Sequence, residues 1–380
     1  MPIILQTGAN DGARLRLEAS LRDVGPVAAR GMGCGNCVDL GICGGLRLES
    51  GFLHCGELCC GAPKRCTGRM CRMNMGDFAR RHAEIGGFDL ERIGPAPRTE
   101  ISALPVVVPM IYHGKRRERA FAAPVVAVRL RDLYRKKTGA PRFATRAEFL
   151  AYFRIAETAR IVVVGIDNDA VVERWWSLSE ARDAILHNLK CDLGVDLVTV
   201  PNFSLAVSWP RWSDLYSMKR IGVCWHELAA SGLATALQPN GRTDQDFERW
   251  KRFIAARPEI THLSFEFTTG AGGPGQREKY ARRLIEIARA AGRSLHLVVM
   301  GGQLVWPMLA AAFATVTVIE TSIFMKTHHR RRAVPKGNNG VHYQRVVTGP
   351  IEMLDELMAA NAEVIGASVM QYAAAPMVSF

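Results

Sequence analysis

The sequence predicts an α/β fold, a (β/α)8-type barrel with an N-terminal cysteine-rich metal-binding lobe. Three observations predict it. From about residue 104, short apolar, β-branched runs alternate with helical stretches, the pattern of parallel strands joined by crossover helices. Polar and charged residues collect just after those runs, where barrel active sites are built. Upstream, eight of the ten cysteines fall within 38 residues, a density that calls for a metal or disulfide framework. The expected organisation is an N-terminal region at 1–103, with the lobe at 31–75, and a barrel domain at 104–380. An open doubly wound sheet is the alternative, because strand alternation alone does not reveal closure.

The lobe comes first along the chain. Its cysteines are Cys34, Cys37, Cys43, Cys55, Cys59, Cys60, Cys66 and Cys71; Cys191 and Cys224 lie far downstream. Met1 to Ser20 lacks the apolar core of a signal peptide. No apolar run reaches the roughly 18 residues of a membrane span. A cytoplasmic protein with no membrane partner is therefore expected. In a reducing compartment, clustered thiols read as metal ligands rather than disulfides. Zinc sites pair short hooks of the C-x2-C kind, and only Cys34–Cys37 has that spacing, with Cys55–Cys59 looser. The run Cys34-x2-Cys37-x5-Cys43 resembles the iron–sulfur loop of helix-hairpin-helix DNA glycosylases and the auxiliary-cluster segment of radical enzymes. Its glycines suit a bulky cluster that needs close backbone approach. A 4Fe–4S cluster is favoured and zinc is the alternative. The fourth ligand would come from Cys55 to Cys71, and His54 could replace one thiolate. A structural staple for a lobe with little core of its own is the simplest role.

Residues 76–103 read as a connecting segment broken by Gly86-Gly87 and Pro95-Ala96-Pro97. The strand-like runs that follow are Pro105–Met110, Pro124–Arg129, Arg160–Ile166, Asp196–Pro201, Ile221–Trp225, Ala234–Leu237, His262–Phe267, Leu295–Met300 and Val316–Ile319. Between them, Thr145–Glu148 and Ser177–Glu180 fit capping boxes. Residues 244–256 and 276–290 carry apolar positions at helical spacing.

The ends of the runs supply the candidate site. Asp167-Asn168-Asp169 ends one run, and alternation along a strand turns at least one of these acids into the barrel mouth. Asp167 or Asp169 would serve as nucleophile, base or metal ligand; the alternative is a helix N-cap. Glu266 stands between Phe265 and Phe267, surroundings that favour the protonated acid and suit a general acid; the alternative is a buried salt bridge. Glu320 ends the last run. Asn202, Ser204, His226, Gln238 and Gln303 also follow runs and would face substrate. Gly301-Gly302 falls where barrels bind phosphate. Walker and dinucleotide glycine motifs are absent, and His226-Glu227 lacks the second histidine of a zinc-protease helix. Trp175, Trp176, Trp209 and Trp212 are either core or stacking platforms for bases.

Apolar residues make up 48% of the chain, enough for a sizeable core, and the formal net charge is +13. The charge is concentrated. Residues 111–160 hold thirteen Lys/Arg against four Asp/Glu, and 321–351 hold six basic residues and no acid. Localised charge suggests a nucleic-acid partner rather than a merely solvated surface. His328, Arg330, Arg331 and Arg332 lie in a segment rich in Pro, Gly and Asn and are expected to form a basic loop that clamps a sugar–phosphate backbone.

From about Asp167 to Gly302 the chain resembles a poorly characterised family of phage, plasmid and bacterial genomes. The residues that carry this are Asp167-Asn168-Asp169, Val200-Pro201-Asn202-Phe203-Ser204, Arg220-Ile221-Gly222, Leu237-Gln238-Pro239 and Leu263-Ser264. A barrel with a cysteine-bound metal is also distantly similar to the tRNA-guanine transglycosylase superfamily, although here the cysteines precede the barrel. That resemblance implies cleavage or exchange of an N-glycosidic bond by an aspartate, here Asp167 or Asp169. The phage context implies a role in defence. An iron–sulfur redox or radical enzyme and a non-enzymatic nucleic-acid binder are the other two expectations.

Overall fold

The computed structural model describes residues 47–48, 51–52, 77–205, 211–273, 275–337, 340–349 and 353–374. The eight clustered cysteines, and with them the expected metal lobe, lie outside the described residues.

Eight strands form one all-parallel sheet: β1 Val107–Pro109, β2 Val125–Arg129, β3 Arg160–Val164, β4 Leu197–Thr199, β5 Thr235–Leu237, β6 His262–Glu266, β7 His296–Met300 and β8 Thr315–Glu320. From β2 to β8 each strand pairs with its sequence neighbours, and β8 returns to pair with β1 through Val318↔Val107 and Ile319↔Val108. Between β1 and β2 a parallel bridge joins Met110 to Ala127, and the Ile111 N–H donates to the Ala127 carbonyl at 2.8 Å. The sheet is thus an almost closed barrel flanked by helices. Strands covered on both faces read as unbroken apolar runs, and β3 (Arg-Ile-Val-Val-Val) does so, with all but its arginine buried. Alternate residues point inward. Val108, Met110, Ala127, Val162, Val164, Leu197, Ala236, Val298 and Ile319 meet there in one core, so the centre is packed rather than a pore.

Eight of the nine predicted runs are these strands. The ninth, Ile221–Trp225, is instead part of α5, a helix from Arg211 to Ala230. Leu215, Met218, Ile221, Cys224, Trp225 and Leu228 are all buried on it. A helix covered on several sides presents short apolar runs like those of a strand, and only its length distinguishes it.

The other helices are α1 Asp77–Glu84, α2 Arg146–Phe153, α3 Asp169–Ser177, α4 Ala181–His187, α6 Asp244–Ala255, α7 Gln276–Ala291, α8 Trp306–Ala310, α9 Ser322–His328 and α10 Asp355–Ala374. The capping box predicted at Thr145 holds: its Oγ1 accepts the Glu148 N–H at 3.3 Å, and the Glu148 carboxylate accepts the Ala144 N–H at 2.9 Å. The one predicted at Ser177 does not. Ser177 ends α3 and donates to the Arg174 carbonyl at 2.8 Å, because the chain passes from α3 to α4 in a tight turn with Ser179 at φ 48°.

After α9 comes an antiparallel hairpin, β9 Arg331–Lys336 with β10 Gly340–Arg345. The predicted basic loop is therefore a helix end followed by a strand. Alternating side chains along Arg331–Lys336 satisfy strand pairing, which charge composition concealed.

The chain divides into two compact units. One comprises Met1–Gly94, Phe203–His226 and Pro239–Phe253; the other comprises Pro95–Asn202, Glu227–Gln238 and Ile254–Phe380 and contains the whole barrel. Within the first, the Tyr216 hydroxyl donates to Glu84 at 2.6 Å, Arg220 stacks 3.9 Å over Phe203, and Arg242 pairs with the fully buried Asp214 at 2.7 Å. No helix among the described residues is long and apolar enough to cross a membrane.

Candidate active site at the barrel mouth

The C-terminal ends of β1 to β4 bring together two arginine–aspartate pairs. Arg129 closes β2 and donates from Nε to Asp132 at 2.7 Å. Its guanidinium lies 4.6 Å over the ring of Tyr112, just past β1. Arg131, two residues on, reaches across to Asp167 after β3 at 3.0 Å. Both partners are largely buried, with side chains 22% and 12% exposed. The Asp167 N–H donates to Asn202 Oδ1, after β4, at 2.9 Å.

The carboxylate of Asp167 is held asymmetrically. Oδ1 accepts from Arg131 Nη1 at 3.0 Å, from the Asn168 N–H at 2.8 Å and from Asn168 Nδ2 at 3.0 Å. None of these donors engages Oδ2. The helix cap that competed for this acid is Asn168, whose Oδ1 accepts the Val171 N–H at 3.3 Å. Asp167 is thereby left outside the helix, while Asp169 is its first residue and is exposed. Of the two acids, only Asp167 is built into the mouth.

Two phenols border this group. Burial pushes the Tyr112 hydroxyl above the usual range of a tyrosine, against the pull of Arg129 and Arg131. Burial does the same to Tyr134, whose ring lies 5.7 Å from that of Trp175. Trp175 is 2% exposed, so it is core and not a stacking platform. Trp176 is half-buried with Arg182 5.1 Å over its ring. Trp209 and the Trp212 side chain lie outside what is described.

Glu266 points inward from β6 but not into apolar surroundings. The Thr268 and Thr269 N–H groups donate to its Oε1 at 2.6 and 2.8 Å, and the Thr269 hydroxyl to Oε2 at 2.6 Å. The Thr268 hydroxyl donates as well. Four donors on one carboxylate make it the acceptor that folds the β6 turn, and no salt bridge to it is found among the described residues. Glu320 is engaged locally too, accepting the Ser322 N–H at 2.6 Å where α9 begins.

The remaining candidates separate. Gln238 continues the inward row of β5; it is 4% exposed, and its Oε1 has no hydrogen-bond partner among the described residues. Ser204 and His226 belong to the first unit, and His226 lies on α5 rather than at a strand end. Gly301 and Gly302 have φ of 74° and 82°. A Cβ on Gly302 would stand 2.7 Å from the Phe267 ring, so close packing on β6 accounts for the glycine. Gln303 opens the short turn that follows and is half-buried. His328 ends α9 with its ring 4.1 Å from Phe324 and 4.7 Å from His113. Burial, then His113 and Arg117, push it down to about 4. Arg330 is half-buried in a turn at φ 52°, while Arg331 and Arg332 are exposed on β9.

Arg129, Arg131, Asp132 and Tyr112 were missed by the sequence reading. The strand-end rule that selected Asp167 also applies to the run ending in Arg129, but its arginines were counted only as net charge.

No family model matches this chain, and no curated protein matches it.

Proposed function

We propose that this protein is a barrel enzyme acting on a base in nucleic acid, breaking or exchanging an N-glycosidic bond. The observation that carries the reading is Asp167, with one oxygen fixed by three donors and the other not engaged by them. A carboxylate so fixed can deliver Oδ2 to a developing sugar cation without reorganising. In the proposed step the C1′–N bond breaks and its electron pair leaves with the base. The base nitrogen takes the proton of Tyr112, whose ring lies 4.6 Å beneath the Arg129 guanidinium, a cation that offsets the phenolate charge left behind. Asp167 bonds to C1′ or pairs with the cation, until water or an incoming base takes its place. Base-acting enzymes bring the nucleotide out of the stack into such a pocket.

The distribution of charge supports a nucleic-acid partner. Several arginines of the first basic segment are structural: Arg117 donates to the carbonyls of His113 and Arg154, and Arg146 to those of Leu193 and Ala159. Exposed cations remain after β1 (Lys115, Arg116), after β2 (Arg135, Lys136, Lys137) and after β8 (Arg331, Arg332, Lys336, Arg345). β8 pairs with β1, and a bridge joins β1 to β2, so the two basic segments follow adjacent strands of the barrel. For the cysteine lobe we retain a 4Fe–4S cluster, with zinc as the alternative, in a structural role; defence against phage is the setting that the resemblance suggests.

The test is a panel of plain and base-modified DNA and RNA, scored for released base and for abasic or exchanged product. Product is expected with the native protein and with Asp169→Asn, and not with Asp167→Asn. Full activity in Asp167→Asn removes the mechanism.

A further inference from the structure

The hairpin β9–β10 has two unlike faces. Opposed residues of an antiparallel pair share a face. Ala333 and Tyr343 oppose each other on the inner face, Ala333 buried and Tyr343 half-buried beneath Lys326, whose Nζ lies 4.4 Å over its ring. Asn361 of α10, fully buried, locks that side: its Oδ1 accepts the Ala333 N–H at 2.7 Å, and its Nδ2 donates to the Arg331 carbonyl at 2.9 Å. The hairpin is thus an arm held along one edge by α10.

The other face pairs Arg332 with Gln344, Val334 with His342 and Lys336 with Gly340. Arg332, Lys336, His342 and Gln344 are exposed, around a half-buried Val334. His342 and Gln344 touch at 3.1 Å, which aligns an amide beside an imidazole. A guanidinium, a primary amide and a central β-branched methyl pair are the groups that read guanine, adenine and the thymine methyl at base edges. Strands of this length run about 20 Å at ~4.8 Å separation, a ribbon that the roughly 12 Å major groove of B-DNA admits.

We propose that this arm lies in the major groove of duplex DNA, with the outer face of β9–β10 against the base edges and the cations after β1 and β2 on the flanking phosphates. The inference rests on the nucleic-acid partner proposed above and adds the strand state. A-form RNA, whose major groove is deep and narrow, excludes such a ribbon.

Fluorescence anisotropy with the full-length protein tests this on a 20-bp DNA duplex, the matching RNA duplex and the single strands. DNA duplex should bind at least about tenfold more tightly than RNA duplex. An Arg332→Ala, Gln344→Ala double variant should lose about tenfold or more on DNA duplex, with an unchanged melting temperature and unchanged single-strand binding. Lys336→Ala should lower the slope of log affinity against log salt by about one. Equal binding of DNA and RNA duplexes, or a double variant that binds duplex like the native protein, overturns the arm. The readout is binding and needs no turnover; duplex binding with no base product refutes the reaction while leaving the arm in place.

Discussion

At the scale of single residues, the mouth shows how a side chain's role depends on what reaches it. Glu266 and Asp167 both end apolar strands, yet the Thr268-Thr269 turn supplies every donor to Glu266, while Asp167 draws one of its own from a different strand. Sequence makes the first property visible only in hindsight: two threonines after an acid are common, and nothing in them announces a closed turn. The second depends on Arg131 lying one strand away, a distance of 36 residues along the chain. Arg131 is therefore a positioning residue, and its truncation should act on rate more than on binding. Arg131→Ala frees Oδ1 from its only cationic partner in this network, and a misplacement of about 1 Å at a reacting group costs about a hundredfold. The expected outcome in the base-release assay is a kcat about a hundredfold lower at little-changed KM. Arg131→Lys should fall between, since an ammonium keeps the charge but not the planar fork. Equal kcat in all three proteins shows that the pair is only structural.

At the scale of elements, strand identity was legible and strand register was not. The runs at Arg160–Ile166 and His262–Phe267 announced β3 and β6 through β-branched and aromatic residues, whereas Ile221–Trp225 misled because a deeply covered helix has no polar face to set its period. Register supplied what composition lacked. His262 and His296 begin β6 and β7 and are direct partners, with rings stacked 4.7 Å apart and 19° between their planes. Each imidazole meets a threonine hydroxyl, Thr261 for His262 at 2.9 Å and Thr315 for His296 at 2.8 Å. Burial pushes His262 down to about 4, helped by His296, and His296 is pushed down by burial against the opposing pull of Glu100. At neutral pH His262 is thus neutral in the folded barrel. The unfolded chain, with an ordinary histidine near 6.5, binds more protons between about pH 6.5 and 4, so stability falls as pH drops through that window and is fully present above it. Chemical denaturation at pH 7.5 and 5 should show the native protein losing stability, and His262→Gln should lose less over the same interval. Parallel losses in the two proteins exclude the stacked pair as the source.

At the scale of the whole molecule, the closure of the barrel gives the charge pattern its meaning. Segments 111–160 and 321–351 are far apart in sequence, and composition could say only that each is basic. Because β8 pairs with β1, the segments that carry these exposed cations follow adjacent strands, while Arg117, Arg146 and Arg131 are engaged by carbonyls and an aspartate. If the cysteine cluster is a metal staple, its removal should spare the sheet. Protein purified without oxygen should carry iron and acid-labile sulfide and show a broad visible charge-transfer absorbance, because thiolate-bound iron absorbs there and zinc does not. A Cys34→Ser, Cys37→Ser variant should lose the iron and the colour but keep a cooperative thermal transition by far-UV circular dichroism, since β1 to β8 bury their own faces. Colourless protein with stoichiometric zinc would replace the iron–sulfur assignment, and metal-free native protein that still folds would remove the staple altogether. Loss of all cooperative folding in the variant would show that the barrel depends on the lobe.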